Sequence, residues 1–226
     1  HIDEFTFSGE DAHALFMLYA WGYFAVVSVF CVRYMKDPFA TWWFVIHILL
    51  AISILFLTVF GLYQIYRSIQ AERETHVDEF HEVLGFGVII LLLFQLFLGV
   101  SARLRFDPER ERPPIFPDKV HWWVGRVMML LAFVNMLSGL LMMTTRMVPF
   151  LVFFGWTVGI MLFVVLFEVY YRGDIPSRST VSKEYELLEM GIQIVQQNNP
   201  ALISCFVGLC VSGFVLISML VWLLER

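Results

Sequence analysis

Six runs of apolar residues, each long enough to cross a bilayer, alternate along the chain with short polar or proline-bearing stretches. They occupy roughly residues 12–35, 41–66, 80–102, 120–145, 149–171 and 199–224. A helix rising about 1.5 Å per residue needs about 20 apolar residues to span the hydrocarbon. No stretch shows the period-two alternation of a half-buried strand. The pattern predicts an all-α membrane protein of six transmembrane helices, the first four forming an up-down bundle.

The polar stretches divide the chain further. Residues 1–11 precede the first span, 12–145 hold four spans, and 146–226 hold two more. Between the third and fourth spans, ARLRFDPERERPPIFPDK carries four prolines and alternating charges, which predicts an extended, non-helical connection. Residues 182–197, SKEYELLEMGIQIVQQ, read as a short amphipathic helix on the inner membrane surface, with Ser182 as its N-cap. His76 falls in a polar loop and reads as a solvated residue.

Composition agrees with this reading: of 226 residues, 59% are hydrophobic and 15% charged, which excludes an ordinary soluble domain. The net charge of −5 says little, but its distribution sets a topology. Arg67, Arg73, Arg146 and Arg226 lie on the side holding both termini, and the other eleven of the fifteen basic residues lie on the opposite side. The positive-inside rule places the eleven in the cytoplasm and both termini outside or in a lumen. Cys31, Cys205 and Cys210 lie within spans without metal or disulfide spacing. There is no nucleotide-binding glycine loop, and nucleic acid is not an expected partner. The chain opens on His and has no leader-like segment, so it is expected to be a mature or truncated piece, the membrane part of something longer.

The candidate chemistry lies in a repeat. His81–Gly99, HEVLGFGVIILLLFQLFLG, aligns with His121–Gly139, HWWVGRVMMLLAFVNMLSG, matching His81, Gly85, Gln95 and Gly99 to His121, Gly125, Asn135 and Gly139. Positions i, i+4 and i+18 share a helix face. Each copy thus offers an imidazole with a notch one turn deeper, as a large flat ligand such as haem requires. Small residues at this spacing also let membrane helices pack closely, and that reading stands beside the first. His47 is followed by Ala51, a weaker version of the pattern, whereas His13 is followed by bulky Met17 and breaks it.

Depth pairs the four histidines. Spans one and three run inward and open with His13 and His81, which puts both near the outer interface; spans two and four run outward, which puts His47 and His121 near the inner one. One and three are diagonal partners in an up-down bundle, as are two and four. Two imidazoles without a carboxylate or thiolate make a poor zinc site but suit a six-coordinate haem iron, whose filled axial positions leave one-electron transfer as its chemistry. The prediction is two stacked haems, the irons roughly 20 Å apart along the membrane normal.

His13-x3-Met17-x3-Trp21-Gly22 with Arg33-Tyr34, Trp43-Phe44-x2-His47, His81-x3-Gly85 with Gln95, and His121-x3-Gly125 resemble the cytochrome b561 family, in particular its members whose membrane core follows a DOMON domain. The resemblance covers residues 12 to about 145. It implies two haem b groups, held by His13 with His81 and by His47 with His121. They would carry electrons from a cytoplasmic reductant, usually ascorbate, to an extracytoplasmic acceptor: monodehydroascorbate, ferric iron, or a redox domain or subunit. No DOMON-like sequence is present in these residues. Gly85, Gly125 and Arg126 are the further cofactor-binding candidates. Arg33, Arg103, Arg105 and Lys119 are candidates for a reductant site, because cations around the inner haem end attract an anion or a propionate; as topology determinants they are equally explained. Two rival readings remain at this point: a quinol-linked dihaem cytochrome b subunit and a haem-free structural or assembly subunit.

Overall fold

The computed structural model describes residues 8–36, 39, 42–72, 79–107, 112–143, 147–173 and 200–224. The first seven residues, His76, Arg146, the predicted amphipathic helix at 182–197 and the side chain of Glu168 lie outside the described residues. Among the described residues, six helices are long and apolar enough to cross a membrane: α1 (Gly9–Tyr34), α2 (Trp42–Glu72), α3 (Phe80–Leu104), α4 (Val120–Met143), α5 (Met147–Gly173) and α6 (Pro200–Leu224).

The ends depart from the apolar runs where local chemistry intervenes. α1 starts before its apolar run because Ser8 caps it: the Ser8 hydroxyl accepts from the Asp11 amide at 3.0 Å, and the Ser8 amide donates to the Asp11 carboxylate at 3.0 Å. This reciprocal capping box also places acidic charge at the positive end of the helix dipole. Glu79 and Glu82 start α3 in the same manner, the Glu79 amide donating to Glu82 Oε2 at 3.1 Å. α2 continues to Glu72, since Arg67, Gln70, Ala71 and Glu72 are good helix formers although the apolar run has ended. The described residues of the proline-rich connection are only partly extended, and 108–111 lie outside the described residues. Residues 115–119 make a tight turn in which Phe116 has φ −110° and ψ 131° and the Phe116–Pro117 bond is cis, and α4 follows directly.

α1 is the enclosed helix: 56% of its spanning window is buried, against 17–28% for the other five. It packs along α2 and against α4; α3 packs on α4, and α5 and α6 close over the α1–α4 side, while α2 and α3 stand further apart. Lipid tails are as apolar as leucine, so such contacts rely on close packing rather than on removing surface from water. Between α1 and α2 that closeness comes from glycine. A Cβ on Gly61 would lie 2.9 Å from Met17 Cε and 3.2 Å from Phe16 Cβ, and one on Gly9 would lie 2.9 Å from the Gln64 carbonyl oxygen. Midway along α1, Leu18–Phe24 widens into a π-helical segment, with the Ala25 amide bonding the Ala20 carbonyl five residues back. Such widened turns are rare. This one presents Gly22 to α5 and α6, where a Cβ would sit 3.3 Å from Phe153 and 3.5 Å from Ile217.

Ile52, Phe56 and Val59 on α2 and Phe86, Ile90, Leu93 and Phe97 on α3 face outward and are exposed. In water such a surface would drive aggregation; a bilayer is its natural solvent. Gly61→Ala is expected to destabilise the detergent-solubilised protein by about 1–3 kcal/mol through overpacking. Gly155→Ala, where nothing lies within 4 Å of the added carbon, should stay within about 0.5 kcal/mol of wild type. Thermal unfolding midpoints of the two variants measure the difference.

Candidate functional site

The four histidines open or nearly open their helices, and the bundle brings them together in the two pairs that depth predicts. The His13 and His81 rings have centroids 6.2 Å apart with planes at 87°. The His47 and His121 rings lie 6.5 Å apart with planes at 89°. Two metal–imidazole bonds of about 2.0–2.1 Å in line, each continuing to the centre of a five-membered ring, place ring centres about 6.4 Å apart. Both pairs therefore have the separation of two imidazoles sharing one metal ion. Among the described residues, no group of three or more His, Cys, Asp or Glu side chains assembles into a metal site. A metal held here needs its remaining ligands from elsewhere, as a porphyrin provides them.

The outward-facing nitrogens are served by the protein. His13 Nδ1 lies 3.0 Å from the Gly61 carbonyl oxygen. His81 Nδ1 lies 3.0 Å from the Asn135 carbonyl oxygen and 3.2 Å from Ser138 Oγ, which itself donates to the Asn135 carbonyl at 2.8 Å. His47 Nδ1 lies 2.8 Å from Ser28 Oγ on α1. These contacts fix the ring orientation and leave Nε2 as the free donor, the usual arrangement of a metal-binding imidazole. Nδ1 of His121 makes no hydrogen bond among the described residues, and its Nε2 lies 3.5 Å from Gln95 Nε2.

The two copies of the repeat are interlocked. α3 and α4 run antiparallel, and the large polar side chains of each copy lie over the glycines of the other. A Cβ on Gly139 would fall 2.7 Å from the His81 ring, one on Gly99 3.3 Å from the His121 ring, one on Gly125 2.8 Å from the Gln95 amide and one on Gly85 3.1 Å from the Asn135 amide. The cause is helix geometry. A carbonyl points toward the residue four positions on, so a group reaching it from the next helix must lie over that residue. His81 reaches the carbonyl of Asn135 and lies over Gly139. Gln95 donates to the carbonyl of His121 at 2.9 Å and lies over Gly125. Gly85 and Gly125, predicted as notches beside a ring, thus face the amides of the opposite helix.

The basic candidates gather with aromatic rings. Arg103 sits over Phe44 at 5.4 Å and over Phe106 at 5.9 Å, Arg105 over Phe116 at 5.4 Å, and Arg33 over Tyr34 at 6.0 Å. Lys119 is exposed in the turn before α4. Arg126 folds back on its own helix, donating to the Trp122 carbonyl at 3.0 Å and stacking on Trp123 at 5.4 Å. Sequence reasoning missed Ser28, Gly61 and Ser138. Ser28 and Gly61 carry no motif, while Ser138 could have been found as a polar residue three positions after the repeat's Asn135.

Comparison with known proteins gives two findings. The family model described as eukaryotic cytochrome b561 matches residues 12–148. A relative from Arabidopsis thaliana, described as a cytochrome b561 and DOMON domain-containing protein, is 27% identical over 188 residues, covering 78% of this chain and 43% of the relative. The chain thus spans less than half the length of that relative. No solved structure matches it significantly.

Gly139→Ala is expected to displace His81 and to lower bound haem substantially, whereas Gly87→Ala, with nothing within 4 Å, should leave it unchanged. Haem per polypeptide, measured on the purified variants, checks this.

Proposed function

The chain belongs to the eukaryotic cytochrome b561 family, multi-pass membrane proteins of haem-mediated transmembrane electron transfer, and from that premise we propose that it moves single electrons across the bilayer through two haem b groups. The observation that carries the reading is the pair of facing imidazoles at each of two places in the bundle, 6.2 and 6.5 Å between ring centres. His13 and His81 would hold one group and His47 and His121 the other. A haem b held by two imidazoles would supply one-electron transfer.

The chain's own residues do the rest. Gly61, Asn135 and Ser28 orient three of the imidazoles through Nδ1. The Gln95 amide ties α3 to the first turn of α4 through the carbonyl of His121. The apolar exterior of α2 and α3 keeps both sites in hydrocarbon, where an unpaired charge is costly and a neutral imidazole is the stable form.

The charge count orients this path. Eleven of fifteen basic residues on one side support a cytoplasmic face at the His47–His121 end, with both chain termini on the other face. Arg33, Arg103, Arg105 and Lys119 lie at that end and suit an anionic reductant such as ascorbate. The acceptor is then extracytoplasmic: ferric iron, monodehydroascorbate, or a redox domain of the kind named in the Arabidopsis relative.

The expected outcome for the purified protein is a b-type α-band on reduction and two haems per chain. Ascorbate should reduce it faster than a quinol, and the reverse order would favour a quinol-linked cytochrome. His13→Ala and His81→Ala should abolish one and the same haem, and His47→Ala and His121→Ala the other. Losses that cross between the pairs, or a protein with no b-type band, would overturn the reading.

A further inference from the structure

The four imidazoles are not equivalent on their outward side. Two face main-chain carbonyls through Nδ1, His13 that of Gly61 and His81 that of Asn135, while Nδ1 of His121 makes no hydrogen bond among the described residues. A carbonyl is supplied by every residue, and no side-chain substitution removes it. His47 faces a side chain, the Ser28 hydroxyl, at 2.8 Å.

Ser28 is also unlike other hydroxyls in these helices. Ser53, Thr157 and Ser218 each donate to the carbonyl four residues back at 2.9 Å, the ordinary way to satisfy a hydroxyl in hydrocarbon. Ser28 is 5% exposed, yet its oxygen reaches across from α1 to a ring on α2. It sits on the enclosed helix, which is where a buried polar group costs most unless it has a partner.

We infer that Ser28 is a positioning residue for His47: it holds the proton on Nδ1, aims Nε2 at the iron and lowers the reduction potential of the inner haem. This rests on the haem reading above. The sign follows from the hydrogen bond. An acceptor at Nδ1–H pushes electron density through the ring, makes Nε2 a stronger donor, and so favours ferric over ferrous iron. Removing the acceptor leaves a buried N–H unpaired and weakens that donation. Partners of this kind contribute about 10–100-fold to metal affinity. A tenfold loss of ferric preference is about 59 mV for a one-electron couple.

The test is a potentiometric titration of the α-band on the haem-loaded full chain. Ser28→Ala should raise one of two redox components by about 59 mV and leave the other in place, the component that moves being the one missing from His47→Ala. Ser28→Thr, which keeps the hydroxyl, should restore the wild-type value. Ser138→Ala should move the outer component less, because His81 keeps its bond to the Asn135 carbonyl. If Ser28→Ala does not assemble, Ser28→Cys, whose thiol is a weaker acceptor of similar size, should give a smaller shift in the same direction. Unmoved components in a fully loaded Ser28→Ala or Ser28→Cys, or an equal shift in Ser28→Thr, would overturn the inference while leaving the haem reading intact. A wild-type protein without a b-type band would instead bring down the haem reading itself.

Discussion

A histidine inside hydrocarbon has two nitrogens and no water to satisfy either, and the architecture answers that constraint for three of the four. His13, His47 and His81 each give Nδ1 to the protein around them, and every ring faces a second ring across the bundle. The first half of the bargain needs carbonyls or a hydroxyl at hydrogen-bonding distance from a side chain on a different helix. Helices can supply them only by approaching closely, which is why the site and the packing are one problem here. Gly61 shows both roles at once: it lets α1 lie against α2, and its own carbonyl receives His13.

The interlocked repeat extends the same logic. In α3 and α4 each copy supplies large groups at two positions and empty ones at two others, and antiparallel packing sets large against empty. The match is not perfectly symmetric. Where the second copy has Ser138 to support His81, the equivalent place in the first copy holds Leu98, fully buried and apolar. The His121 side therefore lacks the hydroxyl contact enjoyed by His81, and the two sites differ in chemistry although their ring separations are nearly the same.

Much of this was legible beforehand. The six spans follow from apolar run length, and the histidine pairs from where each residue falls in its helix and which way that helix runs. What could not be read off depends on the other side of each contact. Ser8 moved the start of α1 because capping acts outside the apolar run, whereas Glu79 caps α3 where its apolar run begins. Gly85 and Gly125 were read for the space they leave, but the occupants, Asn135 and Gln95, belong to the facing helix. Ser28 and Gly61 have no periodic signature, since each matters through a single partner on another helix. The π-helical turn at Leu18–Phe24, which carries Gly22 against α5 and α6, is likewise unmarked in sequence.

The enclosure of α1 bears on how the molecule is made. α1 precedes the other five helices in the chain, yet the neighbours that cover it are spread from α2 to α6. During synthesis Ser28 and His13 can meet their partners, His47 and the Gly61 carbonyl, once α2 has entered the membrane, but the face of α1 that packs on α4 and α6 stays uncovered until those helices follow. A nascent form halted after α4 would therefore hold all four histidines while its first helix still lacked the cover of α5 and α6.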